Sequence, residues 1–346
     1  MAVSIKDVAQ RAQVSHSTVS RALQNPRRLN QDTAQRVQQI AREMGYRPNS
    51  IGRSLVTRRT DTIGVVVTTV ADPFVAEVVA GVEEVAHNRG YAVFLANSNA
   101  QPEREISVVR SFHDRRVDGV LVMASRVGSL YLPLLEELNV PIVLVDNQYP
   151  GEFAHAISID DRGGARMAVR HLIELGHRRI GYVADQYGLQ SDEDRKMGYA
   201  EELESAGLAF SAALVAHGDG KAEGGRVAMQ SLLALRDPPT AVFCYNDMTA
   251  IGALRTLHSK GWKAPEEMSV VGFDDLPIAQ YVEPPLTTVR QPKAEMGRMA
   301  AERLLNLLGR SELSGSEAAG GGGAGSSIRV PGELVVRASA CRPRHG

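Results

Sequence analysis

Two hydrophobic rhythms divide the chain. Up to about residue 60, apolar residues recur at helical spacing within short, polar-rich segments. In SIKDVAQRA, residues Ile5, Val8, Ala9 and Ala12 form one stripe, with Ser4 placed as an N-cap and Asp7 three positions on. A turn at Gln13–Val14 leads to SHSTVSRALQN, where Ser15 is the N-cap and Val19, Ala22 and Leu23 line one face. After the breaker NPRRL, Asn30 can cap LNQDTAQRVQQIAREMGY, whose stripe is Ala34, Val37, Ile40, Ala41 and Met44 and which Gly45 ends. Short helices sharing one apolar side across a tight turn predict a helix-turn-helix module.

Beyond Thr60 the rhythm changes to apolar runs alternating with helical segments. TIGVVVT, AVFLANS, GVLVMAS, PIVLVDN, AISID, RIGYVA, AVFCYN and SVVGFDD read as strands. Their near-continuous apolar character suits parallel strands covered on both faces. Eight of them exceed one comfortable sheet, so two doubly wound subdomains with a ligand crevice between them are expected. Chain crossings near residues 161 and 290 would divide the subdomains. The expected organisation is a DNA-binding head at 1–47, a hinge at 48–60 and a core at 61–346. Within the core, one subdomain takes about 61–160 and 291–310, and the other about 161–290 and 328–340. Between them SELSGSEAAGGGGAGSS, residues 311–327, reads as a flexible linker before a closing strand, IRVPGELVVR.

Charge sharpens the division. The 346 residues carry 39 basic and 40 acidic side chains, a net charge of -1. Residues 1–60 hold eleven Lys or Arg against three acids, a net +8, which leaves -9 on the remainder. A basic head on an acidic body is the footprint of polyanion binding at one end. Hydrophobic content of 43% is ample for packed cores in the body. Cys244 and Cys341 make no disulfide framework, and no Cys/His group has zinc spacing, so neither metal nor cofactor is expected. With neither a signal peptide nor a membrane-length apolar run, the expected location is the cytoplasm.

A helix-turn-helix places its second helix in the major groove, so the polar face of SHSTVSRALQN is the candidate reading face. Arg21 can reach guanine O6 and N7 together, and His16 and Ser17 offer smaller contacts. Ser15, Thr18 and Ser20 suit phosphate oxygens. Ser4, Asn25 and Arg28 complete the candidate DNA-binding set of the head.

The ordered motifs IKDVAQRAQVSHSTVSRALQN, GYRPN, RSL and IGVVV make the chain resemble the lactose-repressor/galactose-repressor family of bacterial transcription regulators, over nearly its whole length. The resemblance implies that Asn49–Val56 is a hinge helix that folds on operator DNA, with Leu55 as the minor-groove wedge and Asn49 and Arg53 as further DNA-binding residues. An apolar wedge of that kind unstacks a base step at a cost of a few kcal/mol. Gly52 departs from the family's usual alanine and loses about 1 kcal/mol of helix propensity, so the hinge should depend more on DNA to fold. The resemblance also implies a periplasmic-binding-protein-like core and a homodimer on palindromic double-stranded DNA. No leucine heptads follow for a tetramerising coil.

Polar residues at the carboxyl ends of the strands would face the crevice. Carboxylates, an arginine and an amide converging there can bind adjacent hydroxyls, as a sugar offers them. By resemblance, with SDEDRKMGY matching S-x-x-x-R-x-x-G-[FYW], Ser191, Arg195, Asn246 and Asp274 are the leading effector ligands. Asp146 and Gln291 come next, then Asp72 and Phe74. Asp247 and Asp275 read equally well as caps or interface residues. Gly220 stands where many relatives carry Trp or Phe, so the site is larger or lined from elsewhere, by Tyr187 or Tyr199. A purine fits this polar set less well, and a phosphorylated sugar stays open.

The expected function is therefore a repressor whose operator affinity a small molecule controls, most simply a sugar or sugar derivative. An enzyme on the same core is the rival, but G-x-G-x-x-G after the first strand, G-x-x-x-x-G-K-[ST], G-x-S-x-G and H-E-x-x-H are all missing. A transport binding protein would need a signal peptide and would not need the basic head.

Overall fold

The computed structural model describes residues 3–46, 59–127, 138, 140–148, 155–313 and 327–344. Asn49, Gly52, Arg53 and Leu55 of the expected hinge lie outside these residues, as does most of the Gly/Ser-rich stretch. The chain forms two compact units, Met1–Asp61 and Thr62–Gly346.

The first unit holds α1 (Ile5–Ala12), α2 (His16–Gln24) and α3 (Gln31–Glu43). Ser4 and Asp7 close a reciprocal capping box on α1. Gln13 ends that helix in the left-handed region, at φ 53°, so the chain turns at once into Ser15, the cap of α2. Asn30 caps α3 through the Asp32 N–H, and Gly45 leaves it at φ 66°. The shared core is built of small residues: Val8, Ala9, Ala12, Val19, Ala22, Val37 and Ala41. Small side chains let three short helices approach closely. Each fully buried valine contributes about 1.5–3 kcal/mol, without which helices of this length would not persist.

The second unit contains two six-stranded sheets. The strands are β1 (Thr62–Val67), β2 (Ala92–Asn97), β3 (Gly119–Met123), β4 (Ile142–Val145), β5 (Ala156–Ile159), β6 (Ile180–Asp185), β7 (Val215–Gly218), β8 (Ala241–Cys244), β9 (Ser269–Asp274), β10 (Thr287–Arg290), β11 (Ile328–Val330) and β12 (Glu333–Val335). The first sheet runs β11-β5-β4-β3-β1-β2 and the second β12-β10-β9-β8-β6-β7. All pairings are parallel except β12 with β10.

The helices α4 (Pro73–Asn88), α5 (Pro102–Asp114), α6 (Asp161–Glu174), α7 (Gln190–Ser205), α8 (Ala222–Leu233), α9 (Asp247–Ser259) and α10 (Lys293–Leu313) cover the faces. α4 and α10 pack on one side of the first sheet through Val78, Val82, Met296, Ala300 and Leu304, and α5 packs on the other through Val109 and Phe112. α8 and α9 cover one side of the second sheet and α6 and α7 the other. Where α8 and α9 cross, a Cβ added at Gly252 would strike the Ala222 carbonyl oxygen and one at Gly225 the Thr249 carbonyl oxygen. Only glycine permits that approach.

Three expectations need correction. IRVPGELVVR is not one closing strand assigned to the second subdomain: Ile328–Val330 joins the first sheet and Glu333–Val335 the second. Pro331 and Gly332 break it, since proline has no N–H to give a ladder. β7 and β10 are strands that the apolar pattern did not mark. α10 continues to Leu313, past the expected end at 310.

Candidate functional site

On α2 the apolar positions Val19 and Ala22 are buried, and Ser15, His16, Ser17 and Arg21 are exposed on the other side. Ser15 is committed to its cap: its hydroxyl accepts from the Thr18 N–H at 3.1 Å and meets the Ser17 and Thr18 hydroxyls at 2.8 Å each. The Ser4 hydroxyl is likewise bonded to Asp7. Among the described residues, His16 and Arg21 meet no acceptor, so their donors face outward. Ser20 is half-buried, and Asn25 and Arg28 are exposed beyond the end of α2. Gln38 on α3 donates to the Ala22 carbonyl at 2.9 Å and so fixes the angle at which α2 presents this face.

In the second unit a cavity of about 800 Å³ opens between the carboxyl ends of the two sheets. Seven of the eight expected effector ligands line it: Asp72, Phe74, Asp146, Arg195, Asn246, Asp274 and Gln291. From the first sheet's side, Asp72 caps α4 through the Phe74 N–H at 2.9 Å, which holds its carboxylate and the phenyl ring beside it. Asp146 follows β4 in the left-handed region at φ 54°, and Asp274 ends β9 at φ 121°. A non-glycine residue costs about 1–2 kcal/mol there, a strain that turns both carboxylates off the strand ends.

Asn246 follows β8 and caps α9 through the Thr249 N–H at 2.8 Å, while its amide nitrogen donates to the Gly220 carbonyl at 2.9 Å. Gln291, past the end of β10, donates to the Asp274 carboxylate at 2.7 Å. Arg195 on α7 is 3% exposed. Its Nε donates to Asp161 at 2.8 Å and its Nη1 to the Tyr245 carbonyl at 2.6 Å, and its plane lies 3.8 Å from the Phe273 ring centre.

Ser191 departs from expectation. It is buried behind the cavity wall, donating from its N–H and hydroxyl to Gln148 Oε1 at 3.1 and 2.8 Å, with the Tyr245 hydroxyl 2.9 Å away. Gln148 follows β4 and Ser191 lies on α7, so this contact joins the two subdomains. Tyr199 also departs: it is fully buried and donates to the Ile180 carbonyl at 2.8 Å. Tyr187 does line the cavity, as do Arg126, Gln148, Asp185, Asp219, Lys221 and Tyr245, which sequence reasoning missed. Tyr245 precedes Asn246 and Asp185 ends β6, so the strand-end rule applied one residue more widely would have found both.

Burial sets the electrostatics. It raises the carboxyl pKa of Asp72, Asp146 and Asp274, and it lifts Asp161 to about 7 despite Arg195 alongside. Burial also raises Asp185 to about 6. Asp247 is pushed by burial to about 7; it accepts from the Thr288 hydroxyl at 2.5 Å and the Leu276 N–H at 2.7 Å, and so ties strand ends together. Burial works against the charge of Asp275 too, yet Arg337 and Arg290 hold it below the ordinary carboxylate value. Among the described residues no group of His, Cys, Asp and Glu could hold a metal, and no helix is long and apolar enough to cross a membrane.

Residues 4–49 match the family model for bacterial regulatory proteins of the lacI family, and residues 169–340 match that for a periplasmic binding protein-like domain. The HTH-type transcriptional repressor CytR of Escherichia coli (strain K12) is 37% identical over 339 residues, covering 98% of this chain and 96% of that protein. The HTH-type transcriptional repressor PurR of Haemophilus influenzae (strain PittEE) is 35% identical, covering 97% and 98%. Among solved structures, the lac repressor dimer bound to operator and the anti-inducer ONPF superposes with a TM-score of 0.87 at 26% identity, over 99% of this chain and 100% of that one. The transcriptional regulator CelR in complex with cellobiose gives 0.72 at 33%, over 97% and 99%. The chain belongs to the lacI family of bacterial regulatory proteins. It is a DNA-binding transcriptional repressor under the control of a small-molecule effector, and the family's repressors are not enzymes.

Proposed function

We propose that this repressor acts as a cytoplasmic homodimer on a palindromic operator and that a sugar or sugar derivative in the cleft sets its operator affinity. The observation that carries this reading is the convergence of Asp72, Asp146, Arg195, Asn246, Asp274 and Gln291 on one cavity, with Phe74 offering an apolar face. Carboxylates and amides are suited to bidentate contact with neighbouring hydroxyls.

The cleft ligands come from both subdomains, Asp72, Phe74 and Asp146 from one and Arg195, Asn246 and Asp274 from the other. A bound ligand therefore favours one angle of closure over others, and that preference is the coupling free energy shared with the operator. The Gln148–Ser191 contact is one direct link that such a change of angle would stretch. On DNA, Arg21, His16 and Ser17 would read bases, with Ser4, Ser15, Thr18, Ser20, Asn25 and Arg28 nearer phosphates. Asn49, Arg53 and Leu55 would act at the hinge. Dimerisation is supported by β2, an outer strand of the first sheet whose Phe94 and Leu95 are 46% and 43% exposed, and by Tyr281 at 76%. A second copy of the chain is the occupant proposed for these surfaces.

The test is fluorescence anisotropy of the full-length protein on a labelled palindrome from its own promoter, with and without pooled sugars and sugar derivatives. Asp274→Ala should remove the response and leave operator binding intact. A variant that still responds to the same ligand at the same concentration refutes the cleft assignment.

A further inference from the structure

One wall of the cleft is lined mainly by acceptors. Asp72, Asp146 and Asp274 bring three carboxylates to it, close enough that Asp72 repels the other two. Gln291 stands beside them, 3% exposed and lining the cavity. Its amide nitrogen is used on Asp274, and its Oε1 is buried without a hydrogen-bond partner. A buried acceptor with no donor is costly, and a bound donor removes that cost.

The cations nearby are already engaged. Arg195 is bonded to Asp161 and the Tyr245 carbonyl, and its single charge faces Asp161, Asp274 and Asp146 together. Lys293 donates to the carbonyls of Asp274 and Asp275 at 2.6 and 3.0 Å and lies 3.5 Å from Glu77. Elsewhere in the cavity Arg126 faces Asp185, and the Lys221 backbone N–H donates to the Asp219 carboxylate at 3.0 Å, away from this wall. Acceptor oxygens therefore outnumber free donors at the wall.

We propose that the effector presents a protonated amine to Asp72, Asp146, Asp274 and the Gln291 carbonyl oxygen, so that its class is the amino sugars rather than neutral carbohydrates. An ammonium group carries three donors and no acceptor, which matches a wall of acceptors. A hydroxyl there would bring lone pairs that must compete for the few donors near the wall, those of Arg195 and Gln291, which already serve Asp161, the Tyr245 carbonyl and Asp274. The remaining hydroxyls of such a ligand fall to Asn246 and to the free N–H groups of Arg195. Burial raises the pKa of all three carboxyls, and repulsion from Asp72 adds to it at Asp146 and Asp274; one bound cation relieves both. This inference rests on reading the cleft as the effector site.

The experiment compares matched series on the full-length protein bound to its operator: glucosamine, galactosamine, mannosamine and the disaccharide of glucosamine, each beside its N-acetylated and hydroxyl counterparts. Binding is read by calorimetry and operator affinity by anisotropy, at a pH where the amines are protonated. At least one amine should bind ten-fold or more tighter than both counterparts, about 1.4 kcal/mol, and should shift operator affinity. Asp72→Asn and Asp146→Asn, each checked for folding by the fluorescence of Trp262, should each shrink that ratio below about three-fold (about 0.65 kcal/mol). A neutral counterpart that binds as tightly as its amine overturns the amine and leaves the cleft reading standing. Binding by no member of either series overturns both.

Discussion

Replacing Arg195 by methionine tests whether the cleft's central charge also holds the core together. The guanidinium is buried, bonded to Asp161 and the Tyr245 carbonyl, and stacked on Phe273. Removing one partner of a buried, hydrogen-bonded ion pair costs about 3–5 kcal/mol, from the hydrogen bonds lost and from a partner that must either take up a proton or stay charged and unpaired. Loss of the cation over the Phe273 face adds up to about 2 kcal/mol, part of which the methionine thioether recovers. Arg195→Met should therefore lose about 3–5 kcal/mol at pH 8, read as urea unfolding of the core by the single tryptophan, Trp262, which packs against the second sheet's cover.

The loss has a pH signature. Asp161 is raised to about 7 in the native chain, so below pH 7 it is neutral with or without the arginine. Above pH 7 the native protein ionises it beside Arg195, whereas the variant must keep its proton or strand a charge. The deficit should grow by up to about 1.4 kcal/mol per pH unit there. Adding Asp161→Asn should remove that slope and recover much of the stability. A single variant that loses less than about 1 kcal/mol at pH 8, with no benefit from the second substitution, would refute the reasoning.

Arg21→Ala should cost about 1–3 kcal/mol at the base pair that it reads and should relax the preference there; operator competition that still discriminates as before removes Arg21 from that role. Asp161, Asp247 and Asp185, with pKa values of about 7, 7 and 6, hold protons in the folded core that the unfolded chain has released, so their contribution is full below about pH 4 and lost as pH rises through 6 to 7. Asp275 and Glu202, which are held low, act oppositely at acid pH. The melting temperature reported by Trp262 should accordingly fall between pH 6 and pH 8, and a steady rise over that range contradicts the assignment. Gly252→Ala should lose at least about 1–3 kcal/mol as α9 is pushed off α8, measured by the same unfolding; a neutral outcome would mean that the crossing yields freely.

What the sequence made legible was what is decided locally. Ser4, Ser15 and Asn30 announce helix starts because a cap needs only its own next turn. TIGVVV and IVLV announce buried strands because their runs are almost wholly apolar. VAHG and TTVR do not, since their place in the second sheet comes from neighbours rather than from their own composition. Asp146, Asn246 and Asp274 could be anticipated from the rule that ligands gather at strand ends. The pairing of Ser191 with Gln148 could not, because it joins residues far apart in sequence through a contact that exists only once both sheets stand. Tyr187 and Tyr199 were equivalent in the sequence, but Tyr187 lies in the loop before α7 and reaches the cavity, whereas Tyr199 lies on α7 and is buried in the core.

The order of strands in the first sheet has a consequence for how the protein is born. β1 to β5 are synthesised before the whole run from β6 to β10, yet α10 and β11, which complete that sheet, come after it. At ribosomal speed the interval is on the order of ten seconds. Throughout it Val65, Leu121 and Val143 lack the cover that Met296, Ala300 and Leu304 will give them. The part made earlier must wait for the part made later, and a nascent chain of this kind is where a chaperone would find its longest opportunity.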